Sequence, residues 1–224
     1  MSSLMLAIPS AAQENTQGEK EEKKEKISSM FRFKALEVSA DIFGFAYSLL
    51  GEYTSGEVAV EANLGNRFYP AVEVGYGWCN TTDETTQIKY RTAAPYYRVG
   101  LGYNFSTTKE NPNPNYSIMG IARIGWTSGK YDVASPPITD PIWGGTSTLE
   151  LNGVKGSAVW AEVGVALKAR IARNFIMGWS IRYKARINDK VGSNSNMWYI
   201  PGYGINQSTC FGGTYTLTYE IPFK

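Results

Sequence analysis

The chain has 224 residues, 43% of them hydrophobic, 13% aromatic and 19% charged. That content excludes a wholly disordered protein, and no run of about 18 apolar residues is present to make a membrane-spanning helix. Lys+Arg 22 against Asp+Glu 20 gives a formal charge of +2, with most basic residues beside acidic ones, which is no footprint for nucleic acid. The chain has 0 histidines, so a Ser-His-Asp or Cys-His apparatus and a His-rich zinc site are excluded, and no cofactor site is expected.

Residues 4–8 are a short apolar stretch followed by Pro9, Ser10, Ala11 and Ala12. Small residues at Ser10 and Ala12 fit a secretory cleavage site, so residues 1–12 read as the remnant of a signal peptide. No basic residue precedes the stretch, which leaves the front of such a signal missing. Residues 13–33 read as a charged periplasmic spacer: residues 19–26 run EKEEKKEK with no apolar stripe, the mark of a solvated segment.

From Leu36 onward the dominant period is two. Eight segments alternate in this way: 36–42, 58–64, 72–78, 97–105, 118–126, 159–171, 175–187 and 214–223. Residues 43–50 break phase, which predicts a bulge or a short helical turn after the first strand. No Asp, Glu, Lys or Arg stands on the apolar face of any segment, although charge makes up 19% of the chain.

Two architectures fit such a pattern. A secreted carrier turns the apolar face inward around a ligand, whereas a membrane barrel turns it onto lipid. Side-chain size favours the second. An eight-stranded barrel holds modest side chains, yet the apolar face carries Trp78, Trp126, Trp179, Tyr76, Tyr103, Tyr183, Tyr215 and Tyr219. The polar face carries Gly75, Gly77, Gly100, Gly102, Gly125, Gly164 and Gly178, which suit a crowded lumen. Connections alternate in length as well. Links near 66–70, 107–115 and 172–174 are short, and those at 80–94, 130–156 and 188–210 are longer; only 50–56 departs from this order. The reading is an all-β, eight-stranded antiparallel up-and-down transmembrane β-barrel over residues 34–224. It lies in the outer membrane of a Gram-negative bacterium, with periplasmic termini and outer-membrane lipid around it.

The final strand alternates Tyr215, Leu217, Tyr219, Ile221 and Phe223. It resembles the C-terminal signal of bacterial outer-membrane proteins, and that resemblance implies pairing with the barrel-assembly machinery during insertion. The segments GNRFYPAVEVGYGW, YYRVGLGYNF and AEVGVALKARIARNFIMGWSIRYK resemble an uncharacterised family of Bacteroidetes outer-membrane barrels. The resemblance covers most of the chain after Phe33 and implies fold and location, but no activity.

Charges on the polar face sort by strand. Glu37, Asp41, Glu61, Glu73 and Glu220 come from the first three strands and the last. Arg98, Arg123, Arg182, Lys184 and Arg186 come from the fourth, fifth and seventh, while Glu162, Lys168 and Arg170 share the sixth. Closure sets an acidic wall against a basic one, so these groups are expected to pair across the lumen and plug it. A gated ion path or proton relay is the sharper reading of the same residues; the plug is preferred because eight strands leave no open channel.

Trp143, Trp198, Tyr199 and Tyr203 lie on two Pro-containing outer loops and read either as a partner-binding surface or as a cap over the mouth. Cys79 and Cys210 fall at outer strand ends in an oxidising compartment, and a disulfide between them would cross the mouth or involve loop residues. The leading function is a non-enzymatic structural or accessory component of an outer-membrane complex. It would meet a protein partner through its loops or the charged N-terminal segment. Transport of a small solute or amphiphile is the alternative. A His-free enzyme would need paired carboxylates such as Asp83 with Glu84 or Asp132 with Asp140, which read more readily as loop solvation.

Overall fold

The computed structural model describes residues 31–47, 53–108, 115–139, 142, 144–191 and 196–223. Residues 1–12, most of the charged spacer, Asp140 and Trp143 lie outside the described residues.

The described elements in chain order are β1 (Phe33–Asp41), α1 (Ile42–Tyr47), β2 (Tyr53–Leu64), β3 (Phe68–Thr82), β4 (Lys89–Asn104), β5 (Tyr116–Ala134), β6 (Ile138–Thr139), β7 (Thr146–Ser147), β8 (Glu150–Arg170), β9 (Phe175–Val191), β10 (Tyr199–Ile200), β11 (Gly204–Ile205) and β12 (Thr209–Pro222). Eight of these strands form one antiparallel sheet in the order β1-β2-β3-β4-β5-β8-β9-β12. β12 pairs back onto β1, from Ala35↔Pro222 to Asp41↔Thr216, and closes the barrel. β6 with β7 and β10 with β11 make two small hairpins outside that sheet.

Side-chain alternation is inverted relative to a soluble protein. On β3, Val72, Val74 and Tyr76 are exposed, whereas Ala71, Glu73 and Gly75 between them are buried. β4 buries Arg98 and exposes Tyr97 and Val99, and β5 buries Arg123 and exposes Ile124 and Trp126. The outward face therefore carries the apolar residues that a folding chain ordinarily hides.

The start of β1 and the end of β12 lie at one end of the barrel, with the turn between β2 and β3 and the turn at 171–174. The first of these turns is a tight hairpin in which Gly65 and Asn66 have φ of 59° each and the Arg67 amide donates to the Leu64 carbonyl at 3.1 Å. Two successive positive φ values match the right-handed twist of the flanking strands. The far end carries α1, the turn at 83–88, the 135–149 segment and the 196–208 segment.

Strands at the far end reach further than hydrophobic alternation indicates. Most of 80–94 and 130–156, expected as loops, is paired backbone, including Arg91↔Asp132 and Lys130↔Lys155. Beyond Tyr97 and Trp126 the outward positions become Arg91, Lys130 and Lys155, so the apolar signal stops while the hydrogen-bonded ladder continues. Ile42, expected to end the first strand, instead opens α1. The Asp41 carboxylate accepts from the Phe43 amide at 3.1 Å and caps that helix.

Candidate functional site

The lumen is filled in tiers. At mid-height lies a lattice of buried charge, each group placed by inward alternation on its strand. Arg98 on β4 has Nη1 3.0 Å from Glu73 and 2.5 Å from Glu57, and its Nε is 2.9 Å from Glu162. Arg123 on β5 reaches Glu73 at 2.9 Å and Glu61 at 3.3 Å. Arg182 on β9 crosses the barrel to Glu57 at 3.3 Å and Glu73 at 3.2 Å and lies 3.5 Å from Glu162 on the adjacent β8. Nearer the termini, Lys168 pairs with Glu37 at 2.8 Å and with Glu61. Arg170 meets Glu220 at 2.7 Å at the more solvated edge of that end.

Removing so many charges from water is tolerated because each carboxylate faces at least one cation and the guanidinium donors point in several directions at once. Glu73, at 1% exposure, accepts from three arginines of three different strands.

Three of the expected lattice residues make other contacts. The Asp41 carboxylate is engaged by the Phe43 and Tyr215 amides. Lys184 Nζ donates to the carbonyls of Gly202 at 2.9 Å and Tyr203 at 3.2 Å. Arg186 sits toward the far end with Asp189 at 3.2 Å and Asn206, away from the lumen carboxylates. Conversely, Glu57 is a full member of the lattice that sequence reasoning missed, because the apolar run of the second strand starts only at Val58. Its spacing of four from Glu61 placed it on the same inward face.

Above the lattice sits an apolar tier that includes Tyr90, Tyr96, Tyr131, Trp160, Met197, Tyr199, Ile200 and Tyr203. Large aromatics were expected only on the outside. Tyr96 and Trp160 are nonetheless inside at 0% exposure, because glycine on a facing strand makes the room. A Cβ at Gly75 would overlap the Tyr96 ring, and one at Gly125 would overlap the Trp160 indole. The Trp160 Nε1–H donates to Glu162 at 2.6 Å and the Tyr96 hydroxyl to Glu57 at 3.0 Å, which ties this tier to the charges below.

The rest of the upper tier comes from the 196–208 segment, which folds down into the mouth. β10 and β11 pair around a turn closed by the Tyr203 amide to the Ile200 carbonyl at 3.0 Å. Gly202, at φ 79°, lies on the Tyr96 ring, and its carbonyl accepts from Arg98 and Lys184 at 2.9 Å each. Tyr199 and Tyr203 are 4% and 2% exposed and pack into this cap, the second of the two readings of these loops. Trp198 alone of the described candidates is exposed, its ring 6.1 Å from that of Tyr90. No disulfide joins Cys79 and Cys210 in the structure; they stand on β3 and β12, with β1 and β2 between them in the sheet.

The termini end is sealed by amides and hydroxyls. Asn104 Nδ2 donates to the Asn66 carbonyl at 3.0 Å and to Thr107 at 3.1 Å, and Thr107 donates to the same carbonyl at 2.7 Å.

The outer surface is ordered too. Tyr215, Tyr219, Ile221 and Phe223 lie exposed along β12. Aromatic pairs gather at two levels, Tyr97–Trp126 and Tyr183–Phe211 toward the far end, Phe68–Tyr103, Phe175–Tyr219 and Phe33–Phe223 toward the termini. On β5, Tyr116 and Trp126 bracket Ile118 and Ile124. Ten residues at about 3.4 Å each, tilted by about 40°, span roughly 25 Å along the barrel axis, the height of a lipid-facing band.

Carboxylates weighed for chemistry are engaged locally. Asp83 Oδ1 accepts from the amides of Thr86 at 2.7 Å and Thr85 at 3.0 Å and from the Thr86 hydroxyl at 2.8 Å. Those bonds, the Thr86 amide first, hold its carboxyl below the usual carboxylate range. Asp132 accepts from the Gly153 amide at 2.7 Å.

No curated protein matches the chain. Among solved structures it is similar to Ail, the attachment invasion locus protein of Yersinia pestis, in complex with the heparin analogue sucrose octasulfate. That match has 11% identity and a TM-score of 0.42 over 85% of this chain and 100% of that one. It is also similar to a major outer membrane protein from Thermus thermophilus, with 10% identity and a TM-score of 0.46 over 84% of this chain and 98% of that one. The sequence model of a domain of unknown function, DUF6048, matches residues 1–224, and the chain belongs to that family.

Proposed function

We propose that the protein is a transmembrane barrel of the bacterial outer membrane. Its lumen is plugged against solutes, and it serves without catalysis as a structural or accessory component of an envelope complex. The observation that carries this reading is the inversion: aliphatic and aromatic residues are exposed around the barrel wall while Glu73, Arg98, Arg123 and Glu162 are sealed inside. Water would charge the exposed band about 25 cal/mol for each Å² of apolar surface, and acyl chains remove that cost. Insertion places the short turns and both chain ends in the periplasm and the long far-end strands outside the cell. The tiers of the lumen support closure, since among the described residues the aromatic cap and the ion pairs occupy the barrel at successive heights.

Contact with a partner falls to what projects beyond the lipid. That is the arm of β5 and β8 with its β6–β7 hairpin, where Ile138, Ile142 and Leu149 are exposed; the charged N-terminal segment is the second candidate for such contact. The test is mild-detergent extraction from native membranes followed by identification of co-purifying proteins and by gel mobility with and without heating. The reading expects the chain in the outer-membrane fraction, faster migration before boiling, and a stoichiometric envelope partner. Recovery as a detergent-free soluble protein would contradict it.

A further inference from the structure

The inner wall formed by β1, β9 and β12 differs from the wall opposite. Where β3, β4 and β5 turn Glu73, Arg98 and Arg123 inward, this wall presents the hydroxyls of Ser39, Ser180, Thr214, Thr216 and Thr218 between Asp41 of β1 and Arg182 of β9. These short side chains stop well before the axis and leave a cavity of about 40 Å³. A second cavity of about 30 Å³, bordered by Glu37, Arg170 and Glu220, lies toward the termini. A third of about 180 Å³ lies toward the far end between Lys184, Tyr203 and Gly213. Lys168 borders the first and the second, and Asp41 borders the first and the third. The three cavities thus follow one another from end to end of the barrel.

Thr218 supplies an independent observation. It is 1% exposed, its Oγ1 has no hydrogen-bond partner among the described residues, and it borders the central cavity. A buried hydroxyl in that state calls for water, and a cavity larger than about 10–15 Å³ can hold one. Ser180 and Thr214 are already linked through their hydroxyls at 2.7 Å. Hydroxyls and waters donate and accept at once, so a file of them can hand on a proton without moving a solute. The central cavity is bordered by Asp41, Glu57, Glu61 and Glu73 against Arg123, Lys168 and Arg182, so no net positive charge repels a proton there.

We propose that this hydroxyl seam holds a chain of waters and conducts protons between the two ends of the barrel while excluding other ions. The proposal rests on the membrane-inserted, plugged reading above. A proton joins the chain at the Asp41 end as another leaves at the Glu37–Glu220 end, or the reverse. Only O–H bonds form and break, and no oxidant or reductant takes part.

The test reconstitutes the full chain in liposomes holding a pH-sensitive dye, with insertion verified by vesicle flotation and heat-dependent gel mobility. After an external pH step, wild-type vesicles should equilibrate at least about tenfold faster than protein-free vesicles and than vesicles with Thr218→Val, about 1.4 kcal/mol on the barrier. Potassium flux should stay at the protein-free level. Thr216→Val serves as the second variant if Thr218→Val fails to insert. Inserted wild type as proton-tight as bare lipid, inserted variants as fast as wild type, or potassium passing alongside protons would each overturn the seam and leave the membrane reading standing. Wild type that never inserts would contradict the membrane reading itself, and the seam with it.

Discussion

Glu73 and Arg98 face each other in the β3–β4 register, with Arg98 Nη1 3.0 Å from Glu73 Oε2 and both side chains sealed from solvent. The same carboxylate accepts from Arg123 across β4 and from Arg182 across the lumen. One residue of β3 is thus tied to three other strands, and the lattice acts as a cross-brace of the barrel.

Arg182→Ala removes the cation that spans the lumen and strands Glu57, Glu73 and Glu162 around a gap. Breaking a buried ion pair from one side costs about 3–5 kcal/mol. Urea unfolding in detergent should show that loss, while planar-bilayer recordings stay silent. Ion conductance with unchanged stability would refute the bracing role.

Glu57→Gln keeps the shape but removes charge that Arg98 and Arg182 share. Hydrogen bonds to charged groups contribute about 1.5–3 kcal/mol, so a destabilisation of that order is expected in the same urea assay. A midpoint equal to wild type would place Glu57 outside the network.

Gly75→Ala puts a methyl group into the Tyr96 ring, whereas Gly56 on the neighbouring β2 has open space around it. Overpacking typically costs about 1–3 kcal/mol. Gly75→Ala should therefore lower the unfolding midpoint clearly and Gly56→Ala should leave it nearly unchanged. Equal effects would show that the barrel can relax around the aromatic tier.

The Asp83 turn should respond to pH. Its carboxyl is held below the usual carboxylate range by bonds from Thr86 and Thr85, so the contribution is present above that range. It is lost as pH falls through the lowered value. Protection of the Thr85 and Thr86 amides, corrected for intrinsic rates, should fall on acidification earlier than protection in the strands, and Asp83→Asn should remove that pH dependence. Exchange insensitive to pH after correction for intrinsic rates would contradict the cap.

The strands were legible wherever two different environments flank the sheet. Val72, Glu73, Val74 and Gly75 alternate because one side meets the lumen and the other does not, and period two reports that contrast directly. The signal failed past Trp126, where Lys130 and Lys155 are paired in register but the outward face turns polar while Tyr131 beside them faces the apolar tier inside. It failed again at Glu57, one residue before the apolar run of its strand. The cap was harder still. Tyr199, Ile200 and Tyr203 carry no period, and their burial follows from the room left by Gly75 and Gly202 around Tyr96, a relation between distant segments that local pattern does not encode.

Val163 lies mid-band on β8 at 55% exposure, whereas Arg91 lies beyond the aromatic level on β4. Val163→Arg should cost about 2–4 kcal/mol in lipid, and a charge at position 91 is already accommodated. Refolding into vesicles that tolerates Val163→Arg without loss would place that face away from the bilayer midplane.

The central claim is that the apolar side of each strand touches acyl chains. Fluorophores attached to single cysteines at Val72, Ile124, Val163 and Ile181, in a chain whose Cys79 and Cys210 are replaced by serine, test it most directly through quenching. The account predicts strong quenching by lipids brominated along their tails and almost none by aqueous iodide at all four positions. Efficient iodide quenching with no effect of brominated lipid would show that the band faces water or protein, and would contradict the account.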